Sequence, residues 1–385
     1  MNYQSNLVAD NHTKSQVQKF EGFDFLRAIF AIAIVAYKTK IFDIPQILIA
    51  NSWTYALSQY ILSGMVGALA VPVFFQISLF LFYYKSKNLE TNYFIQNRLP
   101  KLLSLYLFWV TAITIFDILL VGKFELVKQS FSSVKSFLEF IVSGNSTPYF
   151  FFFSLIFLTT LAAIFNSLFG KQEANSTRSK ISYILLFVSS ALLVLASAIE
   201  AIASYTNFQS PYLKIIINIV HWDYHPLNFI PYIFTSVITA QEYQDGKLNE
   251  VTRWLKNKLA SLFILALTFF ILEWVLTSNK ILIQVDQAPL DHYMRLSLLF
   301  ASWFLLYLAI LSRCQAPNLI KFISKYSLGI YGFHVFFIFK GAFNFSNLFP
   351  TMPLLGIIIN FSLILCCSIG LSLIFKRIKW SKQFV

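Results

Sequence analysis

The chain has 385 residues, is 57% hydrophobic and 12% charged, and carries a formal net charge of +13. Its mean hydropathy is +0.65. Soluble domains carry about 25% charged residues, so this composition excludes a soluble enzyme and predicts an all-α, polytopic membrane helix bundle. The positive charge needs no nucleic-acid partner, because cytoplasmic loops of membrane proteins collect Lys and Arg during insertion.

Residues 1–21 are polar and lack an apolar core, so they read as a cytoplasmic N-terminal tail, not a cleavable signal peptide. A membrane domain then covers 22–376, and a basic cytoplasmic tail covers 377–385. Apolar runs of spanning length predict about ten transmembrane helices: 22–38, 62–84, 102–121, 149–169, 181–203, 226–241, 257–277, 295–312, 328–346 and 353–375. Residues 131–142 are too short to span and read as an interfacial helix. With both termini cytoplasmic, 21 of the 30 Lys and Arg residues fall on the inner side. That asymmetry is the expected one for this orientation. Cys314, Cys366 and Cys367 have no metal-type spacing, and no metal is expected.

Ionisable residues inside spans are costly and mark function by default. Lys38 ends the first span, eleven residues after Arg27. At about 100° per residue the two share one helix stripe, about 16 Å apart along the axis. Asp117, Glu200 and Glu273 fall in the outer halves of their spans and are possible charge partners of Lys38. Such a pair either tunes a reactive amine or only holds helices together. At the inner mouth, Arg98 and Lys101 open the third span beside Pro100. Together with Arg27 they suit phosphate groups, although positive-inside anchoring explains the same residues. His221 and His225 stand four apart at the outer side, where interfacial packing, a relocated base and a metal site lacking further ligands are the alternatives.

Several segments resemble the acyltransferase-3 family of integral-membrane O-acyltransferases. Phe23-Asp24-Phe25-Leu26-Arg27-Ala28-Ile29 is similar to the start of the family's first helix, which places a histidine eleven residues after its arginine. Val71-Pro72-Val73-Phe74-Phe75-Gln76-Ile77-Ser78-Leu79-Phe80-Leu81 resembles the family's VPlFFviSGFLl segment. Arg98 and Lys101 fall on its Arg-x-x-Arg pair, and Ser327-Leu328-Gly329-Ile330-Tyr331-Gly332-Phe333-His334 is similar to its late SlgIYliH segment. The resemblance covers about residues 20–375. Three positions depart from it: Lys38 stands where the family has its histidine, Leu79 replaces the glycine of SGF, and Lys101 replaces an arginine.

The resemblance implies a multi-pass protein of a bacterial inner (plasma) membrane. It implies transfer of an acyl group, acetyl in the leading case, from a cytoplasmic acyl-CoA such as acetyl-CoA. The acceptor is a hydroxyl of a cell-surface glycan or lipid-linked sugar, which makes polysaccharide O-acetylation the expected activity. It also assigns donor binding to Arg27, Arg98 and Lys101, the catalytic position to Lys38, and a possible supporting role to His334. A lysine begins fully protonated, and burial is what makes it available as a base; left protonated, it suits an oxyanion. The alternative is a catalytically degenerate relative that serves as a non-enzymatic partner in glycan export or synthesis, because Lys38 replaces the histidine.

Overall fold

The computed structural model describes residues 20–43, 58, 60–86, 93–169, 175–206, 225–278, 293–338 and 352–385. Among these the chain is helical, with no strand. The helices are α1 (Glu21–Lys38), α2 (Ala70–Ser86), α3 (Leu99–Leu119), α4 (Phe124–Ser130), α5 (Val134–Ser143) and α6 (Phe150–Phe169). They continue as α7 (Asn175–Thr206), α8 (Pro231–Gln244), α9 (Arg253–Ser278), α10 (Leu296–Leu311), α11 (Asn318–Ile338) and α12 (Pro353–Arg377). π-helical turns at Tyr60–Gly67 and Phe94–Arg98 lead into α2 and α3.

Each of the ten expected spans overlaps a helix, the ninth of them extending beyond the described residues after 338, but among the described residues six segments are long and apolar enough to cross a membrane. These are Tyr60–Ser86, Phe94–Leu119, Phe150–Phe169, Thr177–Ala196, Arg253–Val275 and Pro353–Arg377. α8 has 14 residues and α10 has 16, short of a full crossing. α1 carries charges at both ends, and α11 begins with a lysine-bearing segment that includes Lys321 and Lys325. The chain fits an integral membrane protein. Ile184, Phe187 and Leu192 of α7 and Phe263, Ile264 and Leu272 of α9 are exposed. An apolar surface of this extent suits lipid.

The interior is built around α1, α2, α8, α10 and α11. Gly22 brings α1 against the backbone of α10 at Ala309, where a Cβ would overlap the Ala309 carbonyl. Small residues let membrane helices approach this closely. Gln76, fully buried in α2, donates to Thr235 Oγ1 at 2.8 Å and accepts from Ser236 Oγ at 3.0 Å. That pair satisfies a polar group that would be costly in an apolar core. The expected interfacial helix at 131–142 is α5 (Val134–Ser143), preceded by the short helix α4. Ser133 caps α5 by accepting from Ser136 N at 3.1 Å, and Gly144 closes it at φ 58°. Phe131, Val134, Phe137 and Leu138 stay exposed along this segment, as an interfacial helix requires. Cys314, Cys366 and Cys367 are exposed, not packed inside.

Candidate functional site

The sequence-predicted cations Arg27, Arg98 and Lys101 do converge. They line one cavity of about 400 Å³, together with Lys85 from the last turn of α2 and Lys325 from α11. Arg27 comes from the second turn of α1, while Arg98 and Lys101 come from the start of α3. Pro100 fits there because the first helical turn needs no N–H from it. Five cations around one cavity repel each other, so the arrangement favours a polyanionic guest.

The arginine is held in place by its neighbours. Arg98 Nη2 donates to Ser78 Oγ at 2.8 Å. Its Nε is buried without a hydrogen-bond partner among the described residues. On the facing side, Ser324 Oγ donates to Asp24 Oδ1 at 2.7 Å, and Lys321 pairs with Glu21 at 3.3 Å. These contacts join the first turns of α1 to α11, so Arg27 and Lys325 face the same space. Leu79, at the departure from the family's glycine, is fully buried in the core.

Aromatic side chains close the deep end. Tyr331 lines the cavity between Phe151 and Phe152, with ring centroids 5.3 Å and 5.7 Å away. Its hydroxyl donates to the Pro148 carbonyl. Tyr149 Oη donates to the Gly332 carbonyl at 2.8 Å, tying the same two segments again. Gly332 lets the Trp109 ring lie against the backbone of α11, where an added Cβ would overlap that ring.

His334 stands one turn beyond Tyr331, with ring centroids 5.6 Å apart. It has no exposed surface. Its Nδ1 lies 3.2 Å from the Ile330 carbonyl, while its Nε2 has no hydrogen-bond partner among the described residues. Lys38 ends α1, which runs parallel to α11 through the Glu21–Lys321 and Asp24–Ser324 contacts, so it stands about one helical turn beyond the level of His334. Its ammonium lies 4.8 Å from the centroid of the Tyr37 ring, at the helix C-terminus, where a cation complements the helix dipole.

Asp117 and Glu273, two of the possible charge partners of Lys38, hold helices to neighbouring turns and caps. Asp117, 1% exposed, accepts from Asn145 Nδ2 at 2.9 Å. Glu273 pairs with Arg295 at 2.8 Å and accepts from Ser297 N at 3.0 Å. Arg295 donates in turn to the Gly64 carbonyl, so this pair clamps α9 to the start of α10 and to the turn before α2. Glu200 lies on α7 with its side chain outside the described residues, as His221 does entirely. His225 is a local cap: its Nδ1 accepts from Leu227 N at 3.3 Å.

One charged cluster has no counterpart in the sequence reading. Glu242, at the end of α8, pairs with Lys258 of α9 and accepts from Tyr307 and, at 3.2 Å, from Tyr183. The Lys258 ammonium also lies within 5.3 Å of the ring centroids of Trp254, Trp303 and Tyr307. The available signal was an acid and a base at the facing ends of two consecutive apolar runs.

No curated protein and no solved structure matches the chain. The sequence model of the acyltransferase-3 family, described as an acyltransferase domain, matches residues 20–376, nearly the whole chain. On that match, the chain belongs to the acyltransferase-3 family of acyltransferases.

Proposed function

We propose that this protein is a membrane-embedded O-acyltransferase. It takes an acyl group, acetyl in the leading case, from cytoplasmic acyl-CoA and delivers it to a hydroxyl of a cell-surface glycan or lipid-linked sugar. The observation that carries this reading is the cavity shared by Arg27, Lys85, Arg98, Lys101 and Lys325. Its charge suits the phosphates of a nucleotide-bearing thioester. With the donor's phosphates there, both chain termini lie on the cytoplasmic side, in a bacterial inner membrane. The pantetheine arm then runs along α1 toward Lys38, about 16 Å from Arg27 along the helix.

The acceptor reaches the opposite mouth, near Lys38. In this reading Lys38 acts on the reacting carbonyl or on the acceptor hydroxyl. Either role depends on an amine held in a partly buried place at the end of α1.

A second reading is favoured by that same residue. Lys38 stands at the position of the family's histidine, and losing a positioned base costs 10²–10⁴-fold. The protein is then a catalytically degenerate relative that retains the fold and serves glycan export or synthesis as a partner.

Purified protein in lipid, supplied with radiolabelled acetyl-CoA and candidate glycans, separates the two. Transfer abolished by Lys38→Ala supports the enzyme. Transfer that appears only in Lys38→His means that the natural chain has lost the chemistry.

A further inference from the structure

His334 is a buried polar group for which the acyltransferase reading has so far provided no step. Its ring is enclosed and packs against Tyr331, which lines the cationic cavity, and α1 runs alongside α11 from the Asp24–Ser324 contact toward Lys38. The Ile330 carbonyl can only accept, so the 3.2 Å contact with Nδ1 requires Nδ1 to carry the proton. The neutral ring then presents an unprotonated Nε2. That atom is buried and has no hydrogen-bond partner among the described residues. A buried acceptor left unsatisfied costs about 1–3 kcal/mol, a cost that substrate would remove by donating to it. A backbone bond that fixes the tautomer and leaves the other nitrogen open is what a proton-accepting histidine needs.

We propose that His334 Nε2, not Lys38, accepts the acceptor's hydroxyl proton, an assignment that rests on the acyltransferase reading. The hydroxyl proton passes to Nε2 as the hydroxyl oxygen bonds to the thioester carbonyl carbon. The carbon–sulfur bond then breaks. The departing CoA thiolate takes the proton from Nε2, which returns the ring to its starting form. Lys38 keeps its proton throughout and faces the negative charge that develops on the carbonyl oxygen. The helix register suits this division. Tyr331 ends the cationic cavity, and His334 lies three residues further along α11, about 4.5 Å along its axis.

The test uses membrane vesicles from cells producing the full chain. Labelled acetyl-CoA is the donor, the vesicles' own hydroxyl compounds are the acceptors, and vesicles without the protein are the blank. His334→Asn is the informative variant, because its amide keeps a donor for the Ile330 carbonyl and removes the basic nitrogen. Purified His334→Asn is compared with wild type for acetyl-CoA affinity and thermal stability. The expected result is a fall in turnover of about 10²-fold or more, with acetyl-CoA affinity within twofold and stability retained. A smaller fall overturns the assignment, and so does a fall matched by an equal loss of acetyl-CoA binding. In those cases active wild type leaves the acyltransferase reading standing. Wild-type vesicles that match the blank overturn that reading, and the assignment with it.

Discussion

Arg98 Nη2 and Ser78 Oγ are joined by a 2.8 Å hydrogen bond that links the start of α3 to the middle of α2. Both residues line the cationic cavity. The serine therefore aims the guanidinium while leaving its Nε, without a partner among the described residues, as one place for a phosphate oxygen to bind. Ser78→Ala should weaken acetyl-CoA binding about threefold to tenfold without unfolding the protein, since a hydrogen bond to a charged group contributes about 1.5–3 kcal/mol, part of which the freed arginine recovers on the phosphate. Arg98→Lys should weaken it as well, because an ammonium cannot reproduce the fork of donors. Equilibrium binding to protein in lipid nanodiscs checks both.

Donor affinity should fall as salt rises. Five cations line the cavity, and ions screen them within about 10 Å at 0.1 M and about 3 Å at 1 M. Acetyl-CoA affinity measured between 0.05 and 0.5 M sodium chloride should drop several-fold. A short acetyl thioester without phosphates should show no such dependence. Equal salt response for the two would remove the phosphate role from these residues.

The Glu242–Lys258 pair should be important for stability whatever the protein's activity. Glu242→Leu leaves a buried ammonium without its carboxylate, a change that typically costs about 3–5 kcal/mol. The double variant Glu242→Leu, Lys258→Met should recover much of that loss. Thermal unfolding in detergent reads both. Stability of the single variant equal to wild type would mean that the surrounding tryptophan and tyrosine rings hold Lys258 by themselves.

Two close helix approaches predict damage from a single methyl group. Gly22→Ala would press a Cβ into the Ala309 carbonyl, and Gly332→Ala would press one into the Trp109 ring. Overpacking of this kind costs about 1–3 kcal/mol. Gly22→Ala should be the worse of the two, because its obstacle is backbone. Melting temperatures of the two variants in one detergent give the order.

The residues of the cationic cavity were legible because charge stands out in an apolar chain. Position alone does not separate Arg27, Arg98 and Lys101 from ordinary positive-inside cations; the family resemblance singles them out, and helix packing brings them to one cavity. Lys85 and Lys325 were read only as inner-side charges, and it took helix packing to bring them to the same cavity. The acidic residues were harder. Depth along a span puts Asp117 and Glu273 level with Lys38, but it says nothing about which helix face each occupies. Asn145 and Arg295, which engage them, lie in a turn and at a helix cap, where hydropathy carries no signal. The apolar run ends at 241, one residue before Glu242, whereas α8 continues to Gln244. The span count shows the same limit. Apolar runs located the helices, yet α8 and α10 are shorter than a membrane crossing.

The central claim is that the cationic cavity holds the phosphate end of an acyl-CoA donor. Binding of radiolabelled acetyl-CoA to purified protein in lipid, with Arg27→Ala and Arg98→Ala beside wild type, tests it most directly. Saturable binding by wild type that weakens at least tenfold in each variant, while both variants keep wild-type melting temperatures, is the predicted result. Unchanged affinity in both folded variants would contradict it.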